Sequence, residues 1–234
     1  MRAGFGRLLL ALPLLLASSR GLAADHLKEV MRLEACGEVV REMAGMREGI
    51  PRDLLDKAEC VAVIPGVKKA ALGVGGRLGW GAAVCRTEHG RGPWGAPLLV
   101  SLKGGSVGFQ IGGQESDLVL LVMNPKGIDY LLRSKFTLGA DASVAAGPVG
   151  RSAEAATDIQ MRAEILSYSR SRGIFAGLSL EGAALGQDKK GNHAIYGGRV
   201  RPRDLLLKPD QKIPAAGKGL VETLERLSPR SSRQ

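Results

Sequence analysis

Apolar residues recur along this chain with two different periods. Between residues 25 and 47, Leu33, Cys36, Val40 and Met43 fall at helical spacing with Glu and Arg between them, which predicts an amphipathic helix. Asp25 stands where a cap opens such a helix, and Gly45 and Gly49 weaken its end. Pro51 opens a second, short helix through residue 59. From Cys60 onward the apolar runs are short and studded with glycine. Residues 60–64 predict a strand closed by Pro65-Gly66, and residues 67–86 a basic, then glycine-rich stretch. Residues 88–92 read as a turn, and residues 94–102 and 107–112 as an antiparallel pair joined at Gly104-Gly105. The continuous apolar run 118–123 predicts a strand covered on both faces.

Pro125 begins a short helix through residue 132, after which residues 138–146 alternate again and residues 147–151 form a tight turn. Residues 152–160 are small and polar, a loop or a weak strand pair. In residues 167–172, Tyr168, Arg170 and Arg172 alternate with serines; Gly173 then breaks the run, and Ile174, Phe175, Leu178 and Leu180 follow. That pattern predicts two adjacent strands with two arginines on one edge. A basic loop at 188–192, short helices at 203–207 and 218–227, and disorder from Ser228 complete the reading. The fold class is α+β: N-terminal helices packed on a twisted, mainly antiparallel, Gly-rich β-sheet or partial barrel. A transmembrane β-barrel requires longer, evenly spaced alternating segments and aromatic girdles, and aromatics make up only 4% of this chain.

Residues 1–24 change the picture of where the protein acts. Arg2 and Arg7 precede an apolar run from residue 8 to 17, too short to span a bilayer as a helix, and Ala23-Ala24 completes the pattern of a secretory signal peptide. The alternative is a retained N-terminal anchor. Loss of Arg2, Arg7 and Arg20 lowers the formal charge from +10 to +7. The expected organisation is a leader at 1–24, an amphipathic helix at 25–49, a core domain at 50–205 and a basic C-terminal tail with a short helix at 206–234. The expected location is exported, periplasmic or secreted, and peripheral to a membrane.

Export implies an oxidising compartment. Cys36, Cys60 and Cys85 allow one disulfide plus a free thiol, or none, and the simplest reading is three small buried hydrophobes. Their spacing does not suit zinc. Gly73-x-Gly75 is followed by Leu78 where a dinucleotide fingerprint needs its third glycine, and no Gly-Lys-Ser/Thr phosphate loop occurs. His26, His89 and His193 form no i, i+4 pair, and Glu181 stands where a nucleophile elbow needs its second glycine. No enzyme activity, metal, cofactor or nucleic-acid partner is expected. The basic residues offer a different chemistry. Lys68, Lys69, Arg77, Arg170 and Arg172, beside glycine-lined backbone, are the types that hold a phosphate head group.

The stretch Ser167-Tyr168-Ser169-Arg170-Ser171-Arg172-Gly173-Ile174-Phe175-Ala176-Gly177-Leu178 resembles the signature of the SYLF domain family, also called the Ysc84-type actin-binding domain. Ile50-Pro51, Gly79-x-Gly81, Trp94-x-Ala96-Pro97, Gly108-Phe109-Gln110-Ile111-Gly112, Ser116-Asp117-Leu118-Val119, Gly147-Pro148-Val149-Gly150-Arg151 and Asn192 with Tyr196-Gly197 agree in the family's order. The resemblance covers residues 50 to 198. It implies a non-catalytic module that binds anionic phospholipid surfaces, with actin or an envelope protein as the alternative partner. Lys69, Arg77, Arg170 and Arg172 fall at basic positions of the family pattern; Lys68 does not. The family's region before the core is basic and is credited with membrane contact. Here it carries Asp25, Glu29, Glu34, Glu38, Glu42 and Glu48 against Lys28, Arg32, Arg41 and Arg47, so a helix packed on the core is the better expectation. Expressed in a cell with a general secretion pathway, the chain is expected outside the cytoplasm with Asp25 as its first residue. N-terminal sequencing of the exported protein checks this; a chain retaining residues 1–24 refutes the leader.

Overall fold

The structure, a computed structural model, describes residues 12–149, 162–171, 174–175 and 180–229. Helix α1 (Leu12–Gly45) runs without a break past Ala24-Asp25 and lies along the sheet. Leu33, Cys36, Val40 and Met43, the apolar stripe of the sequence, are fully buried beneath it. The helix therefore packs on the core, as its acidic outer face suggested. Helix α2 (Arg52–Lys57) follows, begun by Pro51.

Two long strands dominate the sheet. β1 (Cys60–Cys85) and β2 (Leu98–Val122) pair antiparallel over most of their length, from Cys60 opposite Val122 to Ala83 opposite Leu98. Sequence reading divided each in two, at Pro65-Gly66 and at Gly104-Gly105, and the structure corrects both divisions. Glycines that look like breaks along one strand lie opposite small residues of the other: Gly73 faces Gly108, Gly75 faces Ser106, and Gly76 faces Gly105. Pro65-Gly66 becomes a bulge instead. Gly66 adopts φ +54°, which favours glycine, and its N–H donates to Asp117 Oδ1 at 3.0 Å.

β1 also folds back on itself. A Cβ on Gly81 would lie 1.8 Å from the Val63 carbonyl oxygen, and one on Gly79 would lie 2.6 Å from Ile64 Cγ2, so the two halves of the strand touch only because these positions are glycine. The ends meet through Arg86 N–H donating to Glu59 O at 2.8 Å and through a Cys60–Cys85 disulfide. The structure corrects the simplest cysteine reading: Cys60 and Cys85 are bridged, because the curl of β1 brings its ends together, and only Cys36 is a small buried free thiol. Burial pushes the Cys36 thiol up to about 12, where it is inert at neutral pH.

Short elements complete the curl. Residues 87–90 form helix α3 (Thr87–Gly90) where a turn was expected. Helix α4 (Pro125–Leu132) starts as predicted, capped by the Asn124 side chain accepting from Gly127 N. Strands β3 (Lys135–Thr137) and β4 (Val144–Ala146) replace the alternating run 138–146, which is interrupted by a turn at Gly139. β5 (Ile165–Ser171) pairs with β2 and with β6 (Ile174–Phe175), so the predicted adjacent strands are present. β7 (Ala184–Gln187) joins β2 to β3. Among the described residues, seven strands form one mainly antiparallel sheet, in which only β4–β5 pair parallel. The expected loop at 188–192 is instead the start of helix α5 (Lys189–Tyr196), because Asp188 caps it by accepting from Gly191 N. Helices α6 (Pro202–Leu207) and α7 (Lys218–Leu227) follow, near the predicted places. The predicted element at 152–160 lies outside the described residues.

The curled sheet buries both faces. Ala62, Ile64, Leu98, Val100, Leu118 and Leu120 point into the curl, with Phe136, Leu185 and Leu206. Val61, Val63, Leu99, Val119, Leu121 and Tyr168 point outward, under α1 and the apolar side of α7. Alternation thus persists in run 118–123, hidden because both sides are apolar. Disorder does not begin at Ser228. That residue is fully buried, its carbonyl accepts from Arg86 Nη2 at 2.8 Å and Trp94 Nε1 at 3.1 Å, and Arg86 stacks on the Trp94 ring.

The bridge closes a chain segment of 25 residues, so its removal in Cys60→Ala/Cys85→Ala is expected to cost about 3–4 kcal/mol of unfolding free energy. Urea titration with and without reductant checks this. Cys36 in the native protein should resist iodoacetamide and react only on unfolding.

Candidate partner-binding surfaces

The structure gives the five cations singled out in the sequence unequal situations. Lys68 and Lys69 lie on β1 opposite Glu115 and Gln114 of β2. With Ala70, Gly113 and Ser171 they line an open hollow of about 850 Å³. Lys68 is exposed and Lys69 half-buried, and neither makes an ion pair within 4 Å among the described residues.

Arg170 is near by but occupied. It pairs with β2 at Asp117, two residues along from Glu115. Its Nη2 meets Asp117 Oδ2 at 2.6 Å and its Nη1 meets Glu42 Oε2 of α1 at 2.7 Å, with the side chain 14% exposed. Burial alone would lower the pKa of this guanidinium, but the two carboxylates outweigh burial and raise it. Asp117 also holds Gly66 N–H, so its carboxylate joins the β1 bulge, β2 and β5, and Arg170 extends the link to α1 through Glu42. Arg77 sits opposite Gly104, ten positions along β2 from Gln114, and is 7% exposed; burial lowers its pKa. Arg172 lies outside the described residues. Lys68, Lys69 and Arg170 are therefore brought to one end of the sheet, and Arg77 is not.

Several motif residues that carried the family resemblance have structural work. Asn192 is 2% exposed; its Oδ1 accepts from Leu99 N and its Nδ2 donates to Leu99 O, so the side chain pairs with β2 as a strand would. Tyr196 donates its hydroxyl to Pro97 O at 2.5 Å. Arg32 binds Glu29 and Asp188, each at 2.7 Å, tying α1 to the cap of α5. Burial holds the Glu29 carboxyl above its usual range against the pull of Arg32.

Sequence reading missed one surface. Leu27 and Met31 of α1 are 60% and 61% exposed, and Leu78 and Trp80 of β1 are 40% and 39% exposed. Leu27 and Met31 are one helical turn apart, and Leu78 and Trp80 share a strand face. Lys28 Nζ, next to Leu27 on α1, stands 5.7 Å from the centroid of the Trp80 ring. The signal was present as Leu78-Gly79-Trp80-Gly81, where large and absent side chains alternate. An apolar cluster around a tryptophan is the composition of a partner-binding surface. Among the described residues, no three His, Cys, Asp or Glu side chains are grouped to hold a metal.

The curled α+β sheet thus leaves exposed apolar side chains, Trp80 among them, and a lysine-lined hollow. The family model described as "Las17-binding protein actin regulator" (Ysc84) matches residues 103–227. The chain belongs to the Ysc84 family. It is 37% identical over 169 residues to an SH3 domain-containing protein of Schizosaccharomyces pombe, covering 71% of this chain and 39% of that one. It is 34% identical over 177 residues to human SH3 domain-containing YSC84-like protein 1 (75% and 51%), and 33% identical over 187 residues to Protein YSC84 of Saccharomyces cerevisiae (79% and 39%). The chain thus spans about half or less of the length of these relatives.

Arg170→Met should destabilise the fold by about 1–3 kcal/mol, because it leaves the carboxylate of Asp117 without its cation. Lys68→Met and Lys69→Met should each stay within about 0.5 kcal/mol of the parent, as unpaired surface substitutions do. Paired urea unfolding curves check both.

Proposed function

We propose that this chain is a non-catalytic binding module of the actin-regulator type, with actin as its partner. The match to the actin-regulator family model over residues 103–227 carries this reading. The surface assigned to the contact is Leu27, Met31, Leu78 and Trp80, with Lys28 over the tryptophan. Tryptophan anchors ringed by apolar and cationic side chains dominate protein interfaces out of proportion to their area. The expected leader sends the chain out of the cytoplasm, so the actin it meets belongs to another cell.

A second reading is supported by Lys68 and Lys69 beside an open hollow. There the partner is an anionic phospholipid surface, and the protein is peripheral to a membrane in the periplasm or after secretion. Each free cation near such a surface contributes about 1 kcal/mol. Arg170 adds little, since its charge is already met by Asp117 and Glu42.

Co-sedimentation with filamentous actin tests the first reading. The purified chain should pellet with filaments, and Met31→Ser/Trp80→Ala should weaken binding roughly tenfold or more with an unchanged unfolding midpoint. A chain that stays in the supernatant at every filament concentration sinks it. Flotation with phosphatidylglycerol vesicles tests the second: binding at low salt should fade at high salt and in Lys68→Glu/Lys69→Glu. Flotation indifferent to both refutes a head-group site at this hollow.

A further inference from the structure

β2 lies inside the sheet, yet one of its edges is only partly used. β7 pairs with it at Val100–Lys103 and β5 at Asp117–Val122. Between them, from residue 104 to 116, β1 is the only strand paired with β2 among the described residues. The direction of the backbone groups on the other edge follows from its two ends. Leu99 N–H donates to Asn192 Oδ1 and Leu99 O accepts from Asp188 N, both on the β7 side. At the far end, Glu115 O accepts from Ser171 Oγ on the β5 side. Alternate residues of a strand direct their N–H and C=O to the same edge, so Gly105 and Gly113 direct theirs away from β1, where no described strand meets them. The geometry points to this gap as the docking site for an extended, acidic segment of a partner protein, which joins the sheet as a strand beside β2.

The two glycines are a second, independent observation. At Gly79 and Gly81 a Cβ would collide with the other half of β1, so glycine is required there. At Gly105 and Gly113 a Cβ meets nothing within 4 Å, and neither residue has a positive φ. Nothing in the described fold requires glycine at these places, and glycine inside a strand weakens it. On an open edge, however, glycine lets a second backbone come close and lets a large side chain from that strand lie across it. The ladder irregularity between Ala71 and Gly73 divides the gap, and one of the two glycines stands on each side of it.

The face beside this edge is bare as well. Residues opposite each other in the ladder share a face, and here Lys103 stands with Leu78, Gly105 with Gly76, and Glu115 with Lys68. Each of these is exposed, whereas Leu99, Val119 and Leu121 of the same face are buried under helices. The lysine-lined hollow lies where β5 stops at Ser171, so an incoming strand continues the track of β5. Charge selects the occupant. Lys68, Lys69 and Lys103 make no ion pair within 4 Å among the described residues. Asp117 is committed to Arg170 and to Gly66 N–H, which leaves Glu115 as the one other described carboxylate on this stretch of β2. In strand addition the backbone hydrogen bonds supply affinity and alternate side chains supply specificity. The favoured segment therefore carries acidic residues toward its ends, near Lys68 and Lys103, and large side chains over the two glycines. A lipid surface offers no strand to pair with them.

The test pans a displayed library of random peptides of roughly ten residues, the length of an ordinary strand, against the whole chain. Enriched peptides should be net acidic and should alternate β-branched or aromatic residues with polar ones. The best of them, made synthetically, should bind Gly105→Pro or Gly113→Pro at least about tenfold more weakly than the parent, as the loss of one or two backbone hydrogen bonds implies. Proline there removes an N–H that faces off the ladder, where strand edges tolerate it, so the unfolding midpoint should hold. If a proline variant fails to fold, the same peptide N-methylated at alternate residues gives the answer on the parent protein. Methylation of one alternate set should abolish binding and methylation of the other should not, because only one edge of the peptide faces β2. Trp80→Ala should bind the peptide as the parent does, since the site rests on the backbone of β2 and not on the actin reading. Overturning results are no enrichment above background, affinity equal in both proline variants and the parent, binding that survives methylation of either set, and binding lost only in Lys68→Glu/Lys69→Glu, which returns the hollow to an anionic head group.

Discussion

The fold depends on β1 being able to touch itself. Gly81 lies against the carbonyl of Val63 and Gly79 against the Ile64 side chain, and any larger residue there would hold the two halves of the strand apart. That contact turns a 26-residue strand from a flat ribbon into one wall of a curl. β2 follows it in antiparallel register, and the remaining strands extend β2 rather than β1. The Cys60–Cys85 bridge and the Arg86–Glu59 hydrogen bond close the ends that the glycines bring together. A sheet curled this far encloses one apolar cluster and presents a second to α1 and α7, so both faces of the long pair are apolar around residues 60–64, 98–100 and 118–122.

Charge is used mainly to join elements. Arg170, Arg32 and Arg86 each reach across elements far apart in sequence: to Glu42 and Asp117, to Asp188, and to Ser228. Buried cations of this sort carry a desolvation cost that only well-placed partners offset, and stripping a partner from such a network is more damaging than the net contribution of the intact pair suggests. The consequence for function is a sorting of the basic residues. Those met by carboxylates or carbonyls hold the curl together. Lys68, Lys69, Lys189 and Arg199 make no such pair among the described residues.

Exposed apolar side chains are sorted in the same way. α1 buries its stripe from Leu33 to Met43, yet one turn earlier it leaves Leu27 and Met31 uncovered beside Trp80. Membership of the Ysc84 family makes actin the partner proposed for that surface.

Local pattern was enough for much of this. The 3.6-residue stripe from Leu33 to Met43, the prolines opening α2 and α4, the break before β6 and the apolar runs around residues 60 and 120 predicted elements that the structure contains. The α+β class and the family followed from the same residues. Tertiary structure alone decided whether a glycine ends a strand or permits its closure, because that depends on what stands across the ladder. It also decided which cysteines meet, since Cys60 and Cys85 are neighbours only once β1 curls. The fate of each cation was likewise invisible in sequence: Lys69 and Arg170 look alike along the chain, but a carboxylate from α1 and another from β2 reach only one of them. Ser228 reads as the start of a polar tail and is buried because Arg86 and Trp94, more than 130 residues earlier, need its carbonyl. Sequence specifies which groups must be satisfied; distance in the folded chain determines by whom.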